Sequence, residues 1–323
     1  MSSLSTGGSG GGKVGNTMRT NVIHPQEDDM SSLLLTMVLP APNGCNLKCP
    51  FCAIAQRGEA REQELTDGDY LRFLRGVATS FPVSSFTLQG YEPLLPESWD
   101  LTRALLQAAD TFDLGTGLVT NGVTLAEHAS ELAGLADTVT VSLDSHDGIR
   151  HDRLRGVIGA WKSTVDGIHG AVEHFGSEGV TVNSVLFPKK LAYLAGMPAL
   201  LRRLGVTNWV VSPLIDFRKD AYASDLSQLH QDLLLLSDLA KAEGVELFLA
   251  DEFRRYESTD LYQSLSVAAV ESDDFVVRLS PDGTLSRGRE ILRESSHAPK
   301  WDRVEEPARF LARVLVEVGR TFD

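Results

Sequence analysis

The feature that most restricts the fold is a regular alternation of strand-like and helix-like segments. Apolar, strand-like runs occur at Leu33–Leu39, Ser85–Leu88, Gly117–Val119, Thr138–Leu143, Val180–Phe187 and Asn208–Pro213. Helical segments lie between them, at Asp67–Thr79, Trp99–Thr111, Leu125–Leu135, Ala160–Phe175 and Leu194–Leu204. Strands joined through helices pair in parallel by right-handed crossovers, so the pattern predicts an α/β fold with a mostly parallel sheet. A seventh unit is expected, with helix Asp225–Ala242 leading into strand Val245–Ala250. The tail breaks the pattern. There Phe275–Leu279 and Thr284–Arg287, joined by Ser280-Pro281-Asp282-Gly283, read as a β-hairpin followed by helix Glu306–Gly319. In such sheets chemistry collects on the loops leaving the carboxyl ends of the strands.

The loop after the first strand holds all of the cysteines. Cys45, Cys49 and Cys52 are the chain's three, in the run Cys45-Asn46-Leu47-Lys48-Cys49-Pro50-Phe51-Cys52. Cysteines used as small core residues scatter through a chain and do not cluster. Three thiols cannot all pair as disulfides, and these neighbours are too close in sequence to close a useful loop. Zinc takes four protein ligands or a completing His or Asp, and the nearest histidines, His24 and His128, are remote in sequence. Three thiolates that leave one position open suit a 4Fe–4S cluster. A zinc site or a chance grouping are the other readings.

The bulk numbers narrow the setting. A length of 323 residues with 42% hydrophobic residues supports a sizeable core, and no run of about twenty apolar residues predicts a membrane span. A net charge of −14 disfavours a nucleic-acid partner, because phosphate-binding surfaces gather Lys and Arg. The Gly/Ser-rich start reads as a flexible leader over residues 1–31, without the apolar core of a signal peptide. Unpaired thiols point to a reducing cytoplasm. Residues 32–215 are expected to form the core, and 216–323 a barrel completion with a C-terminal extension.

The C-x3-C-x2-C spacing, with Phe51 before the last cysteine, resembles the signature of the radical S-adenosylmethionine (radical SAM) superfamily. The resemblance extends over roughly residues 35–215 and implies a partial (β/α)6 TIM-type barrel with a C-terminal β-hairpin and helix. It implies one 4Fe–4S cluster on Cys45, Cys49 and Cys52, with S-adenosylmethionine as the second cofactor. Gln89-Gly90-Tyr91-Glu92-Pro93 is similar to the family's Gly-Gly-Glu-Pro, which receives the methionine ammonium, so Gly90 and Glu92 are expected there. Tyr91 replaces the second glycine. Thr120-Asn121-Gly122 looks like the family's Thr-Asn-Gly turn, although Asn-Gly is a common turn dipeptide. Val141-Ser142-Leu143-Asp144, with His151-Asp152 and Arg155-Gly156 downstream, is similar to a stretch in the branch of molybdopterin cyclases and SPASM-type peptide maturases. Ser142 then faces ribose or carboxylate, and Arg155 a carboxylate. A local ion pair of Asp152 with Arg155 is the plainer alternative. Asn183 and Ser212 match positions that contact ribose or adenine.

The family's chemistry is reductive cleavage of S-adenosylmethionine to a 5′-deoxyadenosyl radical that abstracts hydrogen from substrate, with a flavodoxin- or ferredoxin-type electron donor. No cysteine remains for an auxiliary cluster: where a SPASM-like tail carries one after its turn, this chain has Ser286 and Gly288. A cysteine hydrogen donor is also missing, which leaves Tyr91 as a catalytic candidate. Substrate contacts are expected from Asp216, Arg218 and Lys219, from Asp251, Glu252 and Arg254, and from Arg287. His146, His151 and His174 read as surface or capping residues. The leading expectation is an enzyme acting on a small polar metabolite or natural-product intermediate. A peptide maturase without auxiliary clusters is second, and a non-catalytic metal-binding scaffold third.

Overall fold

Strands buried on both faces read as unbroken apolar runs, but Thr138-Val139-Thr140-Val141-Ser142 and Val180-Thr181-Val182-Asn183-Ser184 alternate. One face of the sheet must therefore meet something other than helices. The computed structural model describes residues 32–40, 44–52, 65–214, 226–250, 253, 276–287 and 299–317. Its strands are β1 Leu33–Leu39, β2 Val83–Gly90, β3 Gly115–Thr120, β4 Thr138–Ser142, β5 Val180–Leu186, β6 Asn208–Pro213, β7 Glu246–Leu249, β8 Val276–Leu279 and β9 Leu285–Arg287. Its helices are α1 Asp67–Ser80, α2 Pro96–Asp110, α3 Leu125–Leu132, α4 Gly148–Arg155, α5 Ala160–Phe175, α6 Met197–Leu204, α7 Leu226–Ala242 and α8 Pro307–Glu317.

The strands form a single sheet in the order β7-β6-β5-β4-β3-β2-β1-β8-β9. From β1 to β7 every neighbour is parallel and consecutive in sequence. One face carries Leu35, Met37, Phe86, Leu88, Val139, Val141, Val182 and Trp209, all buried against helix residues such as Phe73, Leu105, Ile168 and Leu201. Each such side chain contributes about 1.5–3 kcal/mol on burial. The other, concave face presents Thr36, Thr87, Gly117, Thr140, Thr181 and Asn183, all partly accessible. This is the parallel α/β sheet that the alternation predicts, in the partial-barrel arrangement that the resemblance implies.

Local chemistry sets the helix ends. Thr66 and Asp69 form a capping box at the start of α1. Pro96 opens α2 at a position where its missing N–H costs nothing. Gly205, in the left-handed region, closes α6.

The tail hairpin is real, and its place was not readable. The Pro281-Asp282-Gly283 turn closes with the Ser280 N–H donating to Thr284 O at 2.8 Å and the Gly283 N–H to Ser280 O at 2.9 Å. Its first strand, β8, joins the main sheet parallel to β1, from Leu34↔Val276 to Met37↔Leu279, and β9 pairs antiparallel on its outer side. Trp301, 1% exposed, then packs edge-on to Phe73 of α1 with ring centroids 5.2 Å apart. Helix α4 has no counterpart in the sequence reading, because Gly148-Ile149-Arg150-His151-Asp152-Arg153-Leu154-Arg155 carries no apolar stripe of helical period.

Candidate active site

The cysteine loop leaves the carboxyl end of β1 and rests on the C-terminus of α4. The Lys48 N–H donates to Arg155 O at 2.9 Å, and the Cys49 thiol lies 3.8 Å from the same oxygen. The approach requires Gly156: at φ 73°, a Cβ there would lie 2.5 Å from Lys48 O. All three cysteines are half-buried, and none is in a disulfide. Burial pushes the Cys45 thiol up to about 11, opposed by the Leu47 N–H that donates to its sulfur at 3.4 Å. Burial also raises Cys49, against the nearby Arg155 guanidinium, whose Nη1 is 3.9 Å from the sulfur. Binding metal would therefore release protons from this loop.

A carboxylate network ties the ends of β2 and β3 to that loop. Glu92 is 1% exposed. Its Oε1 accepts from Thr120 Oγ1 at 2.6 Å and from the Leu94 N–H at 3.2 Å, and its Oε2 accepts from the Asn121 N–H at 2.7 Å. Burial raises its carboxyl to about 6, against these three donors. Asn121 in turn donates from Nδ2 to Asn46 Oδ1 at 2.7 Å, with Cys45 Sγ 3.7 Å away. Gly90 pairs with Leu39 at φ 145°, where a Cβ would meet Leu39 O at 2.6 Å. Tyr91 is half-buried beside it.

The third part lies after β4. Asp144 is fully buried: its Oδ1 accepts from the Val185 N–H at 3.0 Å and its Oδ2 pairs with Arg155 Nε at 2.9 Å. Asp152 is not the partner of Arg155. Its carboxylate accepts from the Gly159 N–H at 2.6 Å and the Trp161 N–H at 2.7 Å, capping α5. His151 departs from the surface reading as well. It is 1% exposed, its Nδ1 accepts from the Asp144 N–H at 3.2 Å, and burial followed by the Arg155 charge lowers it to about 4. His146 is partly buried, with Nδ1 3.1 Å from Tyr193 O, whereas His174 is exposed. The Arg155 guanidinium also lies 5.6 Å from the Phe51 ring centroid, and Phe51 stacks edge-on with Phe187 at 5.0 Å.

Ser142, Asn183 and Ser212 fall together on the concave face: Ser142 is in register with Asn183, whose Oδ1 accepts from Ser212 Oγ at 2.9 Å. Asp216, Arg218, Lys219, Asp251, Glu252 and Arg254 lie outside the described residues. Arg287 is in register with Val277 of β8, and Ser286 with Arg278. Arg278 itself is in register with Thr36, which puts it on the concave face. Sequence reasoning gave no role to Asn46, Asp144, Phe187 or Arg278, although Asp144 belongs to the stretch that carries the resemblance. The strand alternation around Arg278 was the one signal available, and the others depend on contacts between loops.

The fold and this loop define a class. Residues 39–191 match the model of the radical SAM superfamily, and the chain carries a radical SAM domain, the core of enzymes that use a 4Fe–4S cluster and S-adenosylmethionine. Among its relatives, a GTP 3′,8-cyclase of Nostoc punctiforme is 33% identical over 152 residues, 45% of each chain. A probable GTP 3′,8-cyclase of Methanocella arvoryzae is 30% identical over 191 residues, 56% of this chain and 58% of the relative. The chain thus matches about half the length of these curated relatives. Among solved structures, Streptococcus suis SuiB bound to precursor peptide SuiA superposes with a TM-score of 0.67 at 16% identity, over 90% of this chain and 67% of that one. Native anSMEcpe with bound AdoMet gives 0.63 at 16%, over 86% and 80%. At such identity these two likenesses show the fold alone.

The donor set fits the cluster better than a single ion. Among the described residues no group of three or more His, Cys, Asp and Glu side chains converges to hold one metal ion. A polynuclear centre needs no such convergence, since each thiolate takes its own iron. Two N–H donors and a guanidinium lie within 4 Å of the sulfurs, the kind of outer shell that steadies metal-bound thiolate. No helix among the described residues is long and apolar enough to cross a membrane.

Proposed function

We propose that this chain is a radical SAM enzyme that abstracts hydrogen from a small polar substrate held on the concave face of its sheet. The observation that carries the reading is the cysteine loop, placed at the carboxyl end of β1 and held by Asn121 and by the end of α4. Cys45, Cys49 and Cys52 would hold three irons. When bound, the cluster and S-adenosylmethionine supply a 5′-deoxyadenosyl radical by one-electron reduction from a flavodoxin- or ferredoxin-type donor. Phe51, the Gly90 backbone, Ser142, Asn183 and Ser212 would orient the cofactor beside the loop. The buried Asp144–Arg155 pair fixes the wall on the Cys49 side. Tyr91 stands at the same end of the sheet as a candidate donor of hydrogen.

Hydroxyls and amides of Thr36, Thr87, Thr140, Thr181 and Asn183 suit a ligand with several polar groups, and Arg278 adds a cation. A metabolite of this kind agrees with relatives named as GTP 3′,8-cyclases, and nothing in that agreement selects GTP itself. A peptide substrate is the second reading, favoured by the fold likeness to SuiB with its precursor peptide. Thiols outside any disulfide and an oxygen-sensitive centre suit a reducing cytoplasm.

Anaerobic reconstitution tests the reading. We expect about four irons and four sulfides per chain, lost when Cys45, Cys49 and Cys52 are replaced by Ala, and 5′-deoxyadenosine released under reduction. Assays with nucleotides, small anionic metabolites and peptides then separate the two substrate classes. Stoichiometric zinc with no cluster would overturn the proposal.

A further inference from the structure

The family resemblance places the Glu92 side chain at the methionine ammonium, but its geometry points inward. We infer that Glu92 and Asn121 are positioning residues for the Cys45 ligand: the Glu92 carboxylate builds the turn at the end of β3, and the Asn121 amide carries that order to the Cys45 sulfur. The inference rests on the proposed cluster at the three cysteines.

Three protein donors already occupy the two Glu92 oxygens, at 2.6, 2.7 and 3.2 Å, and the residue is 1% exposed. An ammonium ligand would have to reach a carboxylate that the protein has closed off. The same carboxylate is suited to its inward task because it is acceptor-only. A glutamine there would turn an NH2 group toward the Asn121 N–H or toward the Thr120 and Leu94 donors, and either arrangement sets donor against donor.

Asn121 is then held on every side. Its N–H donates to Glu92, its carbonyl accepts from Thr164 Oγ1 at 2.9 Å, and its Oδ1 accepts from the Val123 N–H at 2.9 Å. With Oδ1 committed, the amide orientation is fixed by the network, and Nδ2 faces Asn46 Oδ1 and Cys45 Sγ. Thr120 and Gly122 complete the turn. Thr120 Oγ1 accepts from the Gly122 N–H at 3.0 Å, and a Cβ on Gly122 would lie 2.6 Å from Val141 Cγ1. An N–H directed at a ligating sulfur favours the reduced, more negative state of a cluster and so raises its potential.

The test uses the full chain as wild type, Glu92→Gln and Asn121→Ala, reconstituted anaerobically. Iron per chain, the midpoint potential followed by electron paramagnetic resonance, and S-adenosylmethionine affinity of the loaded fraction are measured. We expect Asn121→Ala to move the midpoint potential negative. Glu92→Gln should lose about half or more of its iron while its loaded fraction binds S-adenosylmethionine within about twofold of wild type, less than 0.5 kcal/mol. An unchanged potential in Asn121→Ala overturns the inference. So does a Glu92→Gln protein with full iron, or one whose loaded fraction binds S-adenosylmethionine about tenfold more weakly. If Glu92→Gln does not fold, the potential of Asn121→Ala decides alone. Failure of the wild type to form a cluster would instead count against the proposed function.

Discussion

Single residues divide here into those whose chemistry is visible in the sequence and those whose meaning depends on surroundings. The three cysteines announce themselves, because thiols this close have few other uses. Gly156 does not, since nothing in Arg155-Gly156 tells that Lys48 lies 2.5 Å from where its Cβ would be. His151 is another such residue, and it carries a pH prediction. Burial holds its folded-state value near 4 against an ordinary 6.5, so between those values the unfolded chain binds the extra proton and the native state does not. Stability should therefore rise with pH across about 4 to 6.5, with His151's contribution complete above 6.5 and lost toward 4. The full effect is on the order of 3 kcal/mol. His151→Asn keeps an acceptor near the Nδ1 position without the titration. Denaturant melts of the apoprotein at several pH values should show a shallower slope for the variant, and equal slopes would assign the pH dependence to other groups.

Among the elements, α4, on whose C-terminus the cysteine loop rests, is joined to α5 by a side chain. Asp152, on α4, accepts the Gly159 and Trp161 N–H groups at the start of α5. The negative charge also suits the helix N-terminus. Asp152→Ala should cost about 0.5–2 kcal/mol, the range for a lost N-cap, read as a lower denaturation midpoint at unchanged slope. Asp152→Asn, which can still accept, should recover part of it. A loss in Asp152→Ala confined to iron content, with no change in the apoprotein midpoint, would show that Asp152 acts on the metal loop and not on the helix start. The strands and the long helices were legible, within a few residues at their ends. Helix α4 was not legible, because a short polar helix held by its caps and by the loop on its C-terminus has no periodic signal of its own.

For the whole molecule, the decisive step is the return of the tail to β1. The Trp301 N–H donates to Gly283 O at 2.8 Å, and the Leu65 N–H donates to Pro281 O at 2.7 Å, so the hairpin and α1 are joined just where the chain comes back from the cysteine loop. Trp301 lies against Phe73 and under Arg72, whose guanidinium is 5.0 Å from its ring. Trp301→Ala should cost about 3–5 kcal/mol, as for other buried aromatics reduced to Ala. If the tail is part of one cooperative unit, urea unfolding of the variant stays a single transition at a lower midpoint, whereas a separate early transition would show a tail that folds apart from the barrel. By itself the sequence determined the α/β class, the parallel crossovers, the hairpin turn and the clustered cysteine loop, because each rests on local periodicity, turn chemistry or residue spacing. Only the tertiary structure decided that β8 lies beside β1, that Glu92 turns inward to Asn121, and that Asp144 rather than Asp152 pairs with Arg155. Those are contacts between segments far apart in the chain, and they are selected by which strand ends and loops the tertiary packing brings within a few ångströms.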